Sequence, residues 1–153
     1  MTYDLTIERV IDATPDVVFD AFVDPENQRT LYDNEEEPEW SVESEIDLRV
    51  GGIWTIEFGK PGETPFLETN VFTEIDRPHR IVFDSNMFGG KYGGSFDTKV
   101  VATFEERDGK TLLTVVQTGF ENRGDRDMIE SGWPSILDAL EAVVDQHRAE
   151  GSS

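Results

Sequence analysis

Apolar and polar positions alternate from Thr2 to Ile11, with Leu5, Ile7 and Ile11 on one parity, which predicts a strand. Thr14-Pro15-Asp16 then reads as a helix start, Thr14 at the N-cap and Pro15 at the first helical position. Val18, Phe19, Phe22 and Val23 give that helix an apolar stripe, Asp24-Pro25 ends it, and Glu26 to Tyr32 predicts a second short helix. Past an acidic loop, Asp33 to Glu39, the pattern becomes strand, turn, strand. The predicted strands are Trp40–Leu48, Ile53–Phe58, Phe66–Ile75, Arg80–Ser85, Phe96–Arg107 and Thr111–Gly119. Gly51-Gly52, Gly59-Lys60-Pro61-Gly62 and Asp76-Arg77-Pro78-His79 supply turn chemistry between them, and Asp108-Gly109 marks a tight hairpin.

The period changes in the last segment. Ile129, Trp133, Ile136, Leu137, Leu140, Val143, Val144 and His147 recur at three and four, one face of a long helix. Pro134 removes a backbone donor, so the helix is expected to kink or restart there, with its regular part over Pro134–Arg148. A strand, two short helices, a run of strands and a final helix argue for an α+β class in one domain spanning 1–153. The final helix is the element long enough to cover a seven-stranded antiparallel sheet. A sheet curved round it leaves a space between the two near the short helices.

Composition narrows the partners. The 153 residues are 37% hydrophobic, enough for one core, while 13 Lys+Arg against 33 Asp+Glu leave a formal charge of −20. Such a chain repels nucleic acid and anionic membrane surfaces, whose binding needs basic side chains. No apolar run reaches the ~20 residues of a membrane span. The opening Met-Thr-Tyr-Asp-Leu-Thr-Ile-Glu has neither the basic head nor the apolar stretch of a signal peptide, so a cytoplasmic location is expected. Cysteine is absent, which removes disulfides, thiolate zinc sites and cysteine nucleophiles. The acidity reads either as a soluble, self-repelling surface or as adaptation to high salt, where screening removes the repulsion. Melting temperature against salt separates the two.

Several segments together resemble a known family. Leu5-Thr-Ile-Glu-Arg9, Ala13-Thr-Pro15 and Val18-Phe19-Asp20-Ala21-Phe22 with Asp24-Pro25 resemble the opening of SRPBCC (START-like, helix-grip) proteins. Asp47-Leu-Arg49-Val-Gly51-Gly52-Ile-Trp54 resembles the strand turn of the branch similar to the activator of heat-shock-protein-90 ATPase. Glu74-Ile-Asp-Arg-Pro78 with Ile81-Val-Phe83, then Thr103-Phe104-Glu105, Asp108-Gly109-Lys-Thr111-Leu-Leu113-Thr and Gly132-Trp133, follow in the family's order. Many relatives carry a Trp pair and a Pro-containing segment where this chain has Leu31-Tyr32 and the acidic loop, a departure at the cavity mouth. The resemblance implies the helix-grip fold with a cavity between sheet and helix for an apolar small molecule. It also implies three competing functions: a small-ligand binder, a co-chaperone-like module with a chaperone partner, or a cyclase- or aromatase-type enzyme. Fold does not choose among them.

Residues on shared parity are the expected lining. Trp54, Ile56 and Phe58 form one such set, Val100, Ala102 and Phe104 a second, and Leu113, Val115 and Gln117 a third, facing Trp133, Ile136, Leu137 and Leu140. These read as ordinary core or as the wall of a partly empty pocket. The expected cavity set is Phe22, Trp54, Ile56, Phe58, Phe83, Met87, Phe104, Val115, Gln117, Trp133 and Leu137. Gln117 stands out, because an amide among apolar neighbours must be paired by protein, water or ligand. Arg9, Arg49 and Glu74 read as structural ion pairs or solvated edges, or else Arg49, Glu74 and Tyr92 act as polar anchors for a ligand. The two His, His79 and His147, lack metal-ligand spacing, so no metal or cofactor is expected. The loop Gly89-Gly90-Lys91-Tyr92-Gly93-Gly94 lacks the P-loop ending and reads as a hairpin connection or a lid. No Ser sits in a nucleophile-elbow pattern, and no catalytic residue is assigned.

Overall fold

The structure is a computed structural model and describes residues 2–23, 41–59, 66–89 and 94–151. Seven strands and two helices follow in the order β1 (Tyr3–Ile11), α1 (Pro15–Phe22), β2 (Ser41–Ile46), β3 (Ile53–Gly59), β4 (Phe66–Asp76), β5 (Arg80–Gly89), β6 (Gly94–Arg107), β7 (Lys110–Phe120) and α2 (Arg123–Gly151). The strands form one curved antiparallel sheet, ordered β1-β7-β6-β5-β4-β3-β2, so β1 closes beside the last strand while the others follow as a meander. The expected second short helix, Glu26–Tyr32, the acidic loop and most of the Gly-rich loop lie outside the described residues.

Turn chemistry sets the register. Asp108 and Gly109 both take positive φ, 55° and 82°, the handedness that lets a two-residue turn join twisted strands, and Arg107 pairs with Lys110 across it. The β2–β3 connection is tied to β4: Gly51 N–H donates to the Phe72 carbonyl (2.8 Å) and Phe72 N–H to the Gly52 carbonyl (3.1 Å). A Cβ on Gly52 would collide with the Asp47 and Arg49 carbonyls, so this close approach needs glycine.

Helix α1 starts as its sequence predicts, with Thr14 extended at the N-cap and Pro15 in the first turn. The Thr14 hydroxyl donates to Asp16 Oδ1 (2.5 Å) instead of capping a backbone donor, and this bond holds the Asp16 carboxyl below its usual range. Val18, Phe19, Ala21 and Phe22 are buried against the sheet. Arg77 clamps the far side of the helix, donating from Nε to Asp20 Oδ1 (2.8 Å) and from Nη2 to Asp20 Oδ2 (2.7 Å). The Thr111 hydroxyl donates to the Ala13 carbonyl (2.7 Å), fixing the entry to α1 on β7.

The long helix departs from expectation. It runs unbroken from Arg123 to Gly151 with Pro134 inside it, beginning well before the predicted regular part. Its N-terminal signal is Asn122, whose Oδ1 accepts from Gly124 N–H (2.7 Å) and Asp125 N–H (3.3 Å). Proline costs an interior helical bond, but Glu130 and Pro134 lie on the exposed side, so the freed carbonyl meets water. On the opposite side Trp133, Leu137, Leu140, Val143 and Val144 are buried, and packing on both flanks of the proline holds the axis together. The helix packs on β1, α1 and β7, and Arg9 of β1 reaches Asp138 at 2.6 Å.

Candidate functional site: the inner face of the sheet

Strand register decides which side chains share the space under α2. Phe72 pairs with Phe83, Phe83 with Val100, and Val100 with Gln117. One step along the strands, Trp54 pairs with Asn70, Asn70 with Ser85, and Ser85 with Thr98. A further step gives Ile56 opposite Glu68, Glu68 opposite Met87, and Met87 opposite Phe96. The inner face therefore changes character along its strands, from aromatic, through a polar row, to a mixed end carrying a carboxyl.

The aromatic part is tightly built. Trp54 stacks on Phe72 (centroids 6.2 Å apart, planes at 16°) and meets Phe83 edge-on at 5.9 Å. Phe22 of α1 lies edge-on to Trp54 (6.4 Å) and to Phe104 (5.6 Å), and Phe19 lies 5.2 Å from Phe104. Such ring pairs add roughly 0.5–1.5 kcal/mol each beyond the area they bury.

A directed chain of hydrogen bonds runs from α2 to Thr98 of the polar row. Trp133 Nε1 can only donate, and it donates to Gln117 Oε1 (3.1 Å). This fixes the Gln117 amide, whose Nε2 donates to the Thr98 hydroxyl (2.8 Å). Gln117 is thus paired within the protein.

Asn70 is different. It is fully buried, at 0% exposure, and its Nδ2 donates to the Trp54 carbonyl and to Glu68 Oε2, both at 3.3 Å. Reversing the amide would set its oxygen against two acceptors, so the orientation is dictated by its neighbours. Asn70 Oδ1 is left buried with no hydrogen-bond partner among the described residues. An orphaned buried acceptor costs roughly 1–3 kcal/mol, so such groups are few in native folds. Beside it, burial pushes the Glu68 carboxyl above its ordinary value, and the Asn70 bond opposes the shift only in part.

Residues 12–145 match the family described as Activator of Hsp90 ATPase homolog 1-like protein. The chain belongs to that family. The family's fold recurs in protein Mll3558 from Rhizobium loti, 27% identical with a TM-score of 0.78 over 94% of this chain and 97% of that one. Protein CV1439 from Chromobacterium violaceum is 23% identical with a TM-score of 0.75, covering 92% and 96% of the two chains. CalU16 from Micromonospora echinospora is 21% identical with a TM-score of 0.62, covering 97% and 80%. The chain matches no curated protein.

Of the expected lining, Phe22, Trp54, Ile56, Phe83, Phe104, Val115, Gln117, Trp133 and Leu137 are buried in one cluster or its polar row, and Met87 is half-buried beside Glu68. The Phe58 side chain and Tyr92 lie outside what is described. The expected polar anchors sit away from the inner face. Arg49 is 74% exposed at the β2–β3 turn, held by Asp47 at 2.7 Å. Glu74 is 49% exposed and paired with Arg80 at 2.7 Å. The physical reason for Glu74 is a bulge between Phe72 and Glu74, which breaks the alternation and turns Glu74 outward.

Sequence reasoning passed over Glu68, Asn70, Ser85 and Thr98. Their signal was present: Phe66, Glu68, Asn70 and Phe72 share one parity, so two polar residues stand on an otherwise aromatic strand face. Among the described residues no helix is long and apolar enough to cross a membrane, and no three His, Asp or Glu side chains gather as a metal site.

Proposed function

We propose that the protein binds a small hydrophobic or amphipathic molecule between the inner face of the sheet and α2, with a polar group of the ligand meeting the row that crosses β4, β5 and β6. One observation carries this reading: Asn70 Oδ1 is buried beside Trp54, oriented by its neighbours, and without a partner among the described residues. Sites for small molecules combine such walls with a few placed polar atoms. The apolar anchors are Trp54, Phe83, Met87 and Trp133. A cytoplasmic setting belongs to the same proposal, and cell fractionation tests it.

The test is titration with Nile red, a neutral apolar dye, together with native mass spectrometry of the purified protein. Enhanced dye emission, with a bound mass retained in the native spectrum, is the expected result. No enhancement, with no bound mass, overturns the reading.

Two alternatives have their own motives. Glu68, a carboxyl raised by burial on the inner face, suits acid–base chemistry on a bound substrate of the cyclase type. The family description motivates a chaperone partner. Stimulation of a heat-shock chaperone's ATPase by the protein would favour that partner over ligand binding.

A further inference from the structure

We infer that the ligand is an apolar amine, its ammonium group held between the Glu68 carboxylate and the Asn70 side-chain oxygen. The inference rests on the binding proposal above and narrows its ligand class. The amide and indole donors at the polar row are spent within the protein: Trp133 Nε1 on Gln117, Gln117 Nε2 on Thr98, and Asn70 Nδ2 on Trp54 and Glu68. Ser85 and Thr98 carry hydroxyls, which can donate or accept. The buried side-chain atom left without a partner among the described residues is an acceptor, Asn70 Oδ1, and the Glu68 carboxyl beside it takes one bond, from Asn70 Nδ2.

Charge points the same way. Among the described residues no Lys, Arg or His pairs with Glu68, and its single hydrogen-bond partner is Asn70. Burial disfavours the ionised form of Glu68, and a bound ammonium would restore it by supplying both a counter-charge and N–H donors. A carboxylate ligand would meet like charge at Glu68. A hydroxyl ligand has a single proton to offer two acceptors. An ammonium offers three. The field of a chain with net charge −20 also concentrates cations near it.

The experiment displaces Nile red with three ligands of one body: naphthylmethylamine, naphthylmethanol and naphthoic acid, at pH 7. The amine is expected to bind at least about tenfold more tightly than the alcohol, and the acid most weakly. Glu68→Gln should abolish that preference. Glu57→Gln removes the same charge from the exposed side of β3 and should preserve it, which separates a local contact from the overall field. A trimethylated amine keeps the charge without N–H donors and should lose most of the advantage, a measurement that needs no variant. Equal affinities for amine and alcohol, or an equal loss in both variants, overturn the amine assignment and leave the binding proposal standing. Failure of all three ligands and of the dye overturns both.

Discussion

The two ends of the inner face are built from the same four strands and behave as different materials. Around Phe72, Phe83 and Phe104 the strands meet Phe19 and Phe22 of α1, and each ring fills space against another ring. Two to four residues further along, Glu68, Asn70 and Met87 present a carboxyl, an amide oxygen without a partner among the described residues, and a thioether. The first end satisfies itself. The second leaves an acceptor over among the described residues, which is a cost to the free protein and, in the proposed binding, a handle for the ligand. On that proposal, stability and recognition are separated along the strands of one sheet, not between separate elements. Gln117 lies at the boundary, buried like Asn70 but paired on both its amide atoms.

Removing a ring from the self-satisfied end should have the largest effect. Phe104→Ala deletes a fully buried ring touching Phe19 and Phe22 and should cost about 3–5 kcal/mol in urea unfolding. A loss below 1 kcal/mol would erase the contrast between the ends. Gln117→Leu strands the Trp133 N–H in the interior and should cost roughly 1–3 kcal/mol, read as a lower unfolding midpoint. Asn70→Leu, on β4, discards an acceptor that has no partner among the described residues, so it should cost less than Gln117→Leu. Equal costs would show that both amides are equally satisfied, and the reverse order that Asn70 is the better paired.

The smallest effect has the opposite sign. Burial raises the Glu68 carboxyl, so the folded state holds its proton to a higher pH than the unfolded chain does. Below the ordinary value of 4.5 both states are protonated and the group is neutral for stability. Above its raised folded value the penalty of the buried charge is complete. Glu68→Gln should therefore stabilise the protein near pH 7, by about 1 kcal/mol or roughly 2–4 °C in Tm, with the gain fading as the pH falls below 4.5. Thermal melts of both proteins across pH check it. A gain that grows on acidification would mean that Glu68 is a paired, stabilising carboxylate and that the second end is not open.

Much of the architecture is written locally. Alternation over Leu5 to Ile11 and Leu113 to Gln117, the Asp108-Gly109 turn, and Thr14-Pro15 each specify their own conformation, because period-2 patterning and turn dihedrals depend on a few neighbouring residues. The three- and four-residue recurrence of Trp133, Leu137, Leu140 and Val144 does the same for α2. The helix start did not follow from that stripe, since the Asn122 cap lies upstream of it. Nor did the continuity of the helix through Pro134, which depends on the surfaces packed on either side.

The sequence alone determined an antiparallel α+β fold, its strand order in time, and an apolar interior. Those features come from side-chain period and turn chemistry, which are properties of short stretches of chain. Only the tertiary structure decided which polar residues face that interior. A bulge after Phe72 turns Glu74 outward while Glu68 and Asn70, on the same strand and parity, stay inside. It also decided that both amide atoms of Gln117 are paired while Asn70 Oδ1 has no partner among the described residues, because hydrogen-bond partners from β3, β6 and α2 are brought together by packing of elements far apart in sequence.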